Sequence, residues 1–120
     1  MAVQVLIVDD HASFRRLARL LLIAAGLDVV GEAADAAAAR TLVARLRPDA
    51  VLLDVMLPDG SGVDVAREFA GHAGSPRVVL TSSRSRSDFG ASLDLPGGCN
   101  FVPKHELTGP VLAELLGGTR

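Results

Sequence analysis

Short apolar runs alternate with helical segments along the whole chain, and this alternation constrains the fold more than any other feature. Residues 3–8 are apolar apart from Gln4, as in a strand buried on both faces of a sheet. Similar short runs recur at 28–32, 50–53, 77–81 and 99–102. Strands separated by helices pair in parallel, so the pattern predicts an α/β protein with a five-stranded parallel sheet and helices on both faces.

Helices are predicted at 13–25, 36–46, 62–70 and 110–116, with a weaker candidate at 85–94. In the first, a stripe at helical spacing is predicted to face the core, formed by Phe14, Leu17, Leu21 and Ala24. Gly26 is a plausible stop signal, and Asp35 and Ser61 are candidate N-caps.

Composition limits the classes of function. The chain has 120 residues, so we expect a single domain over 1–120. A net charge of −2 without a basic stripe argues against nucleic-acid binding by this chain alone. Apolar runs are too short to span a bilayer, and one cysteine without a signal peptide favours a cytoplasmic setting without membrane association.

Polar side chains follow four of the predicted strands at their carboxyl ends. Asp9 and Asp10 come after the first strand, Asp54 after the third, Thr81 ends the fourth and Lys104 follows the fifth. Each residue alone is weak evidence for a functional site, since such residues are common in turns, caps and strands. Because parallel strands bring their carboxyl ends to one edge of the sheet, we expect all five to converge there.

The converging groups favour phosphate chemistry with a hard cation. Three carboxylates in one crevice repel one another unless a cation is present. Carboxylates with phosphate oxygens and waters are the ligands that Mg²⁺ prefers, and no His and Cys set at zinc spacing exists in the sequence. Phosphoryl oxygens also need a hydrogen-bond donor and a positive charge, which the Thr81 hydroxyl and the Lys104 ammonium group supply.

Four blocks make the sequence resemble the response-regulator receiver domains of two-component signalling. These blocks are residues 8–11 (VDDH), 53–58 (LDVMLP) with Gly62, 79–82 (VLTS) and 101–104 (FVPK). The resemblance implies a flavodoxin-like doubly wound (βα)5 fold with strand order 2-1-3-4-5. It is similar to receivers that precede a helix-turn-helix output domain, although no such domain is visible here.

The resemblance also implies roles for individual residues. Asp54 would be the phosphoacceptor, and Thr81 and Lys104 would each contact a phosphoryl oxygen. Asp10 would bind Mg²⁺ directly and Asp9 largely through water.

Asp54 and the backbone carbonyl of Met56 would complete the protein's share of the metal shell. Phe101 matches the aromatic switch position, whose ring turns inward as the Thr81 hydroxyl moves toward the phosphoryl group. The partner would be a sensor histidine kinase or a phosphotransfer protein. Phosphorylation would then switch the face made by the fourth helix, fifth strand and fifth helix toward a downstream protein.

Departures from the family pattern concern the loop after the last strand. Pro103 precedes Lys104 and His105 follows it, where relatives commonly carry proline directly after the lysine. A cis bond between 104 and 105 is therefore not expected. Phe101 lacks the hydroxyl of the tyrosine often found there, so its switching would be by packing alone.

Several readings stay open. The chain is a stand-alone receiver or the amino-terminal fragment of a DNA-binding regulator, and homodimerisation is left open.

The chain is not expected to be an enzyme beyond catalysing its own phosphorylation and dephosphorylation. A magnesium-dependent phosphatase with an aspartate nucleophile is disfavoured, because Met56 stands where such enzymes carry a second acid. A receiver that is never phosphorylated is disfavoured because every required side chain is present. His11 is expected to lie beside the site.

Overall fold

The computed structural model describes residues 2–70, 74–84, 95 and 99–117. The strands in this part of the chain are β1 (Gln4–Val8), β2 (Asp28–Ala33), β3 (Ala50–Asp54), β4 (Met56–Leu57), β5 (Gly60–Ser61), β6 (Arg77–Ser82) and β7 (Cys99–Pro103). The helices are α1 (Ala12–Ala24), α2 (Ala36–Leu46), α3 (Gly62–Phe69) and α4 (Gly109–Leu116), with a 3₁₀ turn at Lys104–Glu106. The predicted helix at 85–94 lies outside the described residues.

Five strands form one parallel sheet in the order β2-β1-β3-β6-β7. This is the predicted order 2-1-3-4-5, because β4 and β5 form a separate two-stranded antiparallel pair. The order reverses direction between β1 and β3, which creates a crevice at their carboxyl ends. The apolar runs of the sequence did not predict this small pair.

Two apolar layers cover the two faces of the sheet. In β1, Val5 and Ile7 point to the layer that includes α1 and α4, while Leu6 and Val8 point to the layer that includes α2 and α3. Successive strand residues alternate between faces, so a strand at the centre must be apolar at both. The prediction that residues 3–8 form a strand buried on both faces is confirmed for Gln4–Val8, in which only Gln4 is exposed.

The stripe predicted for α1 is partly wrong. Leu17 is 52% exposed and Ala24 is also exposed, whereas Ala18 and Leu22 are buried against the sheet. Residues 17–25 are apolar on nearly every side apart from Arg19, so periodicity alone cannot choose the face. The small side chain of Ala18 lets the helix lie close to the strands.

Helix ends follow the predicted signals. Asp35 accepts a hydrogen bond from the backbone N–H of Ala38, and Ser61 accepts one from Val63.

The peptide bond between Lys104 and His105 is trans, like every other within the described residues. In this same part of the chain, no helix has the length and apolar character needed to cross a membrane.

Gly62 is required because the chain packs directly against it. Its N–H donates to the carbonyl of Val55 at 2.6 Å, which closes the segment between β3 and α3. A Cβ at this position would overlap the backbone carbonyl of Asp54 and lie 2.9 Å from the Cα of Val55. The absence of a side chain here therefore lets α3 begin directly against the carboxyl end of β3.

We expect Gly62→Ala to lower the free energy of unfolding by about 2–4 kcal/mol, because rigid backbone atoms cannot make room for the methyl group. Urea denaturation followed by circular dichroism measures this loss. Gly109→Ala is the matched control: it also begins a helix, but its Cβ would find its nearest neighbours at 3.9 Å. It should change the free energy by less than about 1 kcal/mol. Equal effects of the two substitutions would contradict the packing argument.

Candidate functional site

The five predicted strand-end residues meet at one edge of the sheet. Asp54 is the last residue of β3 and lies beside Thr81 of β6 in the parallel register. The N–H of Asp9 donates to the carbonyl of Ala33 at 3.0 Å, which holds the residue after β1 against the end of β2. Asp9, Asp54 and Thr81 are buried, and Asp10 is partly exposed.

Lys104 places its ammonium group between two of these carboxylates. Its Nζ lies 2.7 Å from Oδ2 of Asp9 and 3.4 Å from Oδ2 of Asp54. The 3₁₀ turn that begins at Lys104 directs the side chain back over the sheet edge from the end of β7. The same Nζ lies 4.3 Å from the centre of the Phe14 ring, a cation–π distance. Two carboxylates therefore share one ammonium group.

The pKa of Asp54 is raised to about 6. Burial is the largest cause, because desolvation disfavours the ionised form, and the neighbouring carboxylate of Asp9 acts in the same direction. The Met56 N–H, which donates to Oδ1 of Asp54 at 3.0 Å, and Lys104 oppose this rise. At neutral pH Asp54 is therefore ionised, and burial of its charge costs folding free energy.

Burial also acts to raise the pKa of Asp9, but its partners outweigh burial and the net change is downward. Lys104 contacts one carboxylate oxygen, and the backbone N–H of His11 donates to the other at 2.8 Å. Of the pair Asp9 and Asp54, Asp9 is therefore the carboxylate that stays ionised more readily. Its charge contributes to the raised pKa of Asp54.

Thr81 has a fully buried hydroxyl that makes no hydrogen bond among the described residues. A buried hydroxyl without a partner costs free energy, so it is a common sign of an interaction that forms only with a ligand. Its neighbour in the sheet register is Asp54. The orphaned hydroxyl therefore fits a bound acceptor group at this carboxylate.

A cavity of about 310 Å³ opens onto Asp10, Asp54 and Lys104. Its lining comprises Asp10, His11, Asp54, Met56, Leu57, Pro58, Ser82, Ser83 and Lys104. Asp9, Asp10, His11 and Asp54 each offer one ligand atom, and these atoms all lie within 4.8 Å of one another. Carboxylate oxygens dominate this donor set, as a hard divalent cation requires.

The predicted switch residue Phe101 lies in β7, which β6 separates from the strand of Asp54. Phe101 is 8% exposed, and it pairs in register with Leu80 of β6. It packs in the layer that contains α2 and α3. Its strand therefore lies directly beside the strand of Thr81, and its role as a switch stays a prediction.

The response regulator receiver domain family matches residues 5–112, which is most of the chain. The chain belongs to this family. The receiver fold also agrees with a solved structure, the signal receiver domain of the response regulator NarL from Mycobacterium tuberculosis. That match has a TM-score of 0.80 and 29% identity, and it covers 98% of both chains.

Curated relatives of this receiver are longer proteins. The DNA-binding response regulator MtrA from Mycolicibacterium paratuberculosis is 39% identical over 96% of this chain and 52% of its own length. A protein-glutamate methylesterase/protein-glutamine glutaminase from Myxococcus xanthus is 45% identical over 68% of this chain and 24% of its own length. The receiver therefore spans about half, or less, of each of these relatives.

Family membership gives the site its general chemistry. Receiver domains belong to two-component systems, are typically phosphorylated on aspartate and bind Mg²⁺ at an acidic pocket. Such a pocket is present in this receiver, with Asp9, Asp10 and Asp54 at its centre. The two buried carboxylates, the shared ammonium and the orphaned hydroxyl fit a cation and a phosphoryl group together.

Three supporting contacts of the receiver were missed by sequence reasoning. Phe14 lies under Lys104, and Arg15 donates from Nη1 to the backbone carbonyl of Asp9 at 2.7 Å. Asp59 accepts from the N–H groups of Ala36 and Ala37 at 2.8 and 3.1 Å, tying the segment after Asp54 to α2. Phe14 was recognised only as a core residue, and no sequence signal distinguished its second role.

We expect Asp54→Asn to stabilise the metal-free receiver at pH 7.5. The folded protein binds a proton at Asp54 more tightly than the unfolded chain does, because the pKa is raised from 3.8 to about 6. Ionisation therefore costs stability as pH rises through this range, and the variant avoids the cost. The gain should be about 1–3 kcal/mol at pH 7.5 and should shrink toward pH 4.

Urea denaturation in EDTA at both pH values measures the effect. Asp28→Asn, at an exposed position in β2, should show no comparable gain. A loss of stability in Asp54→Asn at pH 7.5 would show that Lys104 compensates the Asp54 charge fully.

Proposed function

We propose that this receiver accepts a phosphoryl group on Asp54 from the phosphohistidine of a sensor histidine kinase or a phosphotransfer protein, in a reaction that needs Mg²⁺. One observation carries the proposal. The buried Asp54 carboxylate lies 3.4 Å from the Lys104 ammonium and beside Thr81, whose hydroxyl has no partner in the described residues. A phosphoryl group on Asp54 would supply acceptors for both.

Asp10 and Asp54 would hold Mg²⁺ directly together with the backbone carbonyl of Met56, and Asp9 would act largely through water. The bound ion would neutralise negative charge on the transferring phosphoryl group. The chain's own contribution is position: β1 and β3 fix the carboxylates, and the close contact at Gly62 fixes the segment that carries Met56.

The transfer requires Asp54 to be ionised, which its pKa of about 6 allows at neutral pH. One bond forms between a carboxylate oxygen and phosphorus while the phosphorus–nitrogen bond of the phosphohistidine breaks. The bonding electrons return to the imidazole nitrogen. Lys104 neutralises a phosphoryl oxygen, which suits a transition state whose charge is spread over these oxygens.

The phosphoryl group would add a charge of about −1.5 to −2 beside Thr81 and Lys104. Thr81 would turn its hydroxyl toward the new acceptor, and Phe101 in the neighbouring strand would adjust its packing. A bias of a few kcal/mol is sufficient for such a two-state change. The output face would include β7 and α4 and signal to a downstream protein. Its remaining predicted helix lies outside the described residues.

A second reading is that the receiver is the amino-terminal part of a DNA-binding regulator. The observation in its favour is that the receiver matches only 52% of MtrA, a DNA-binding response regulator. DNA binding would then belong to the rest of such a protein. Homodimerisation on phosphorylation is compatible with both readings.

We further propose that residues 1–120 form one receiver domain and that the protein is cytoplasmic. We also propose that the domain catalyses only its own phosphorylation and dephosphorylation. Met56 supports this last point, because a methionine two residues after Asp54 provides no general acid for a phosphatase.

Acetyl phosphate with Mg²⁺ should add one phosphoryl group to the wild type and none to Asp54→Ala. Asp54 is the nucleophile, so its removal leaves no oxygen to form the acyl phosphate. Intact-mass spectrometry measures the adduct, and its lability to hydroxylamine identifies an acyl phosphate.

Asp64→Ala is the control, because this exposed carboxylate lies on α3 and pairs with Arg67 on the same helix. It should be labelled like the wild type, and size-exclusion chromatography of the labelled protein reports dimerisation. Persistent labelling of Asp54→Ala would disprove the assignment of the phosphoacceptor.

A further inference from the structure

His11 occupies the rim of the acidic pocket in an unusual way for a residue at the start of a helix. It is the N-cap of α1, but its side chain makes no capping hydrogen bond. The side chain is 64% exposed, and its Nδ1 faces the carboxylates instead of the helix. The orientation of the imidazole is therefore not explained by capping of α1.

Nδ1 of His11 lies 3.1 Å from Oδ1 of Asp9 and 3.1 Å from Oδ1 of Asp10. Two ligands at right angles on an ion, each about 2.1 Å away, are separated by about 3.0 Å. The spacing of Nδ1 from Asp10, the proposed direct ligand, thus matches that of neighbouring ligands on one cation, while its spacing from Asp9 is that of a hydrogen bond. Asp54 belongs to the same group of ligand atoms, all within 4.8 Å.

We propose that His11 Nδ1 is a direct ligand of the divalent cation in this pocket and shifts its preference from Mg²⁺ toward a borderline ion, for which Mn²⁺ is the probe. This rests on the proposed function only in that the pocket holds the divalent cation. Imidazole nitrogen is a good ligand for first-row transition metals, whereas Mg²⁺ prefers oxygen.

The geometry of the ring suits this role. A ligating Nδ1 must offer its lone pair, so the neutral ring carries its proton on Nε2. Because the side chain is largely exposed, Nε2–H can donate to water without losing a protein partner. The backbone N–H of His11 donates to Oδ1 of Asp9 at 2.8 Å, which fixes the residue next to the carboxylate.

A competing role for His11 is that of a counter-charge. A protonated ring would donate from Nδ1 to Asp9 and Asp10 and would repel a metal ion. The two roles predict opposite effects of removing the ring. Loss of a ligand weakens Mn²⁺ binding more than Mg²⁺ binding, whereas loss of a positive charge strengthens the binding of both ions.

The test uses Mn²⁺ binding to the full 120-residue chain. Pulsed electron paramagnetic resonance of bound Mn²⁺ should show coupling to a nitrogen nucleus, and this coupling should be absent in His11→Ala. Equilibrium dialysis gives the affinities for Mn²⁺ and, by competition, for Mg²⁺. We expect the ratio of Mn²⁺ to Mg²⁺ affinity to fall about tenfold in His11→Ala, in line with loss of one ligand.

His105→Ala is the matched control, since this histidine is 66% exposed and lies 3.5 Å from Glu106. It should keep both the nitrogen coupling and the affinity ratio. Coupling that is absent from the wild type, coupling that persists in His11→Ala, or an unchanged ratio would each overturn the proposal. Circular dichroism checks that His11→Ala is folded, and His11→Gln replaces the ring by an amide as a second variant.

Labelling of Asp54 by acetyl phosphate and Mg²⁺ in the same preparations separates the two proposals. Labelling without nitrogen coupling would leave the proposed function standing and remove His11 from the metal shell. Nitrogen coupling without labelling would support the ligand and contradict the phosphoacceptor.

Discussion

The buried carboxylates of Asp9 and Asp54 share the single ammonium group of Lys104 at the edge of the sheet. The rest of the site depends on this excess of negative over positive charge. Asp9 keeps its charge because Lys104 and a backbone N–H stabilise it. Asp54 receives less compensation, so its pKa is raised to about 6. The deficit of positive charge is what a divalent cation would remove. The uncompensated charge of Asp54 costs local stability, and a cation bound beside it would recover that cost.

The single lysine of the chain supplies the ammonium group that the two carboxylates share. All other basic side chains among the twelve are arginines. An ammonium group is a compact point charge on a flexible stem, so it can sit between two carboxylates and over the Phe14 ring. A planar guanidinium would favour bidentate pairing with one carboxylate. A lysine thus fits the proposed function, in which this group would turn toward a phosphoryl oxygen on Asp54.

The alternation of strands and helices predicted the sheet and the convergence of five groups, because parallel strands bring their carboxyl ends to one edge. The strand order followed from the resemblance to receiver domains. Supporting contacts were harder to predict. The face of α1 was partly misassigned, since Leu17 and Ala18 are both apolar and only packing decides that Ala18 is buried. The cap that Asp59 places on α2 joins residues 22 and 23 positions apart. Such contacts depend on three-dimensional approach and have no local signal.

The free energy of unfolding with and without Mg²⁺ tests the central claim most directly. Urea denaturation at pH 7.5 should show that Mg²⁺ at about a hundred times its dissociation constant stabilises the wild type by about 2.7 kcal/mol. The double variant Asp9→Asn with Asp54→Asn, which has no charge deficit, should gain much less. No stabilisation of the wild type, or an equal gain in the double variant, would contradict the account.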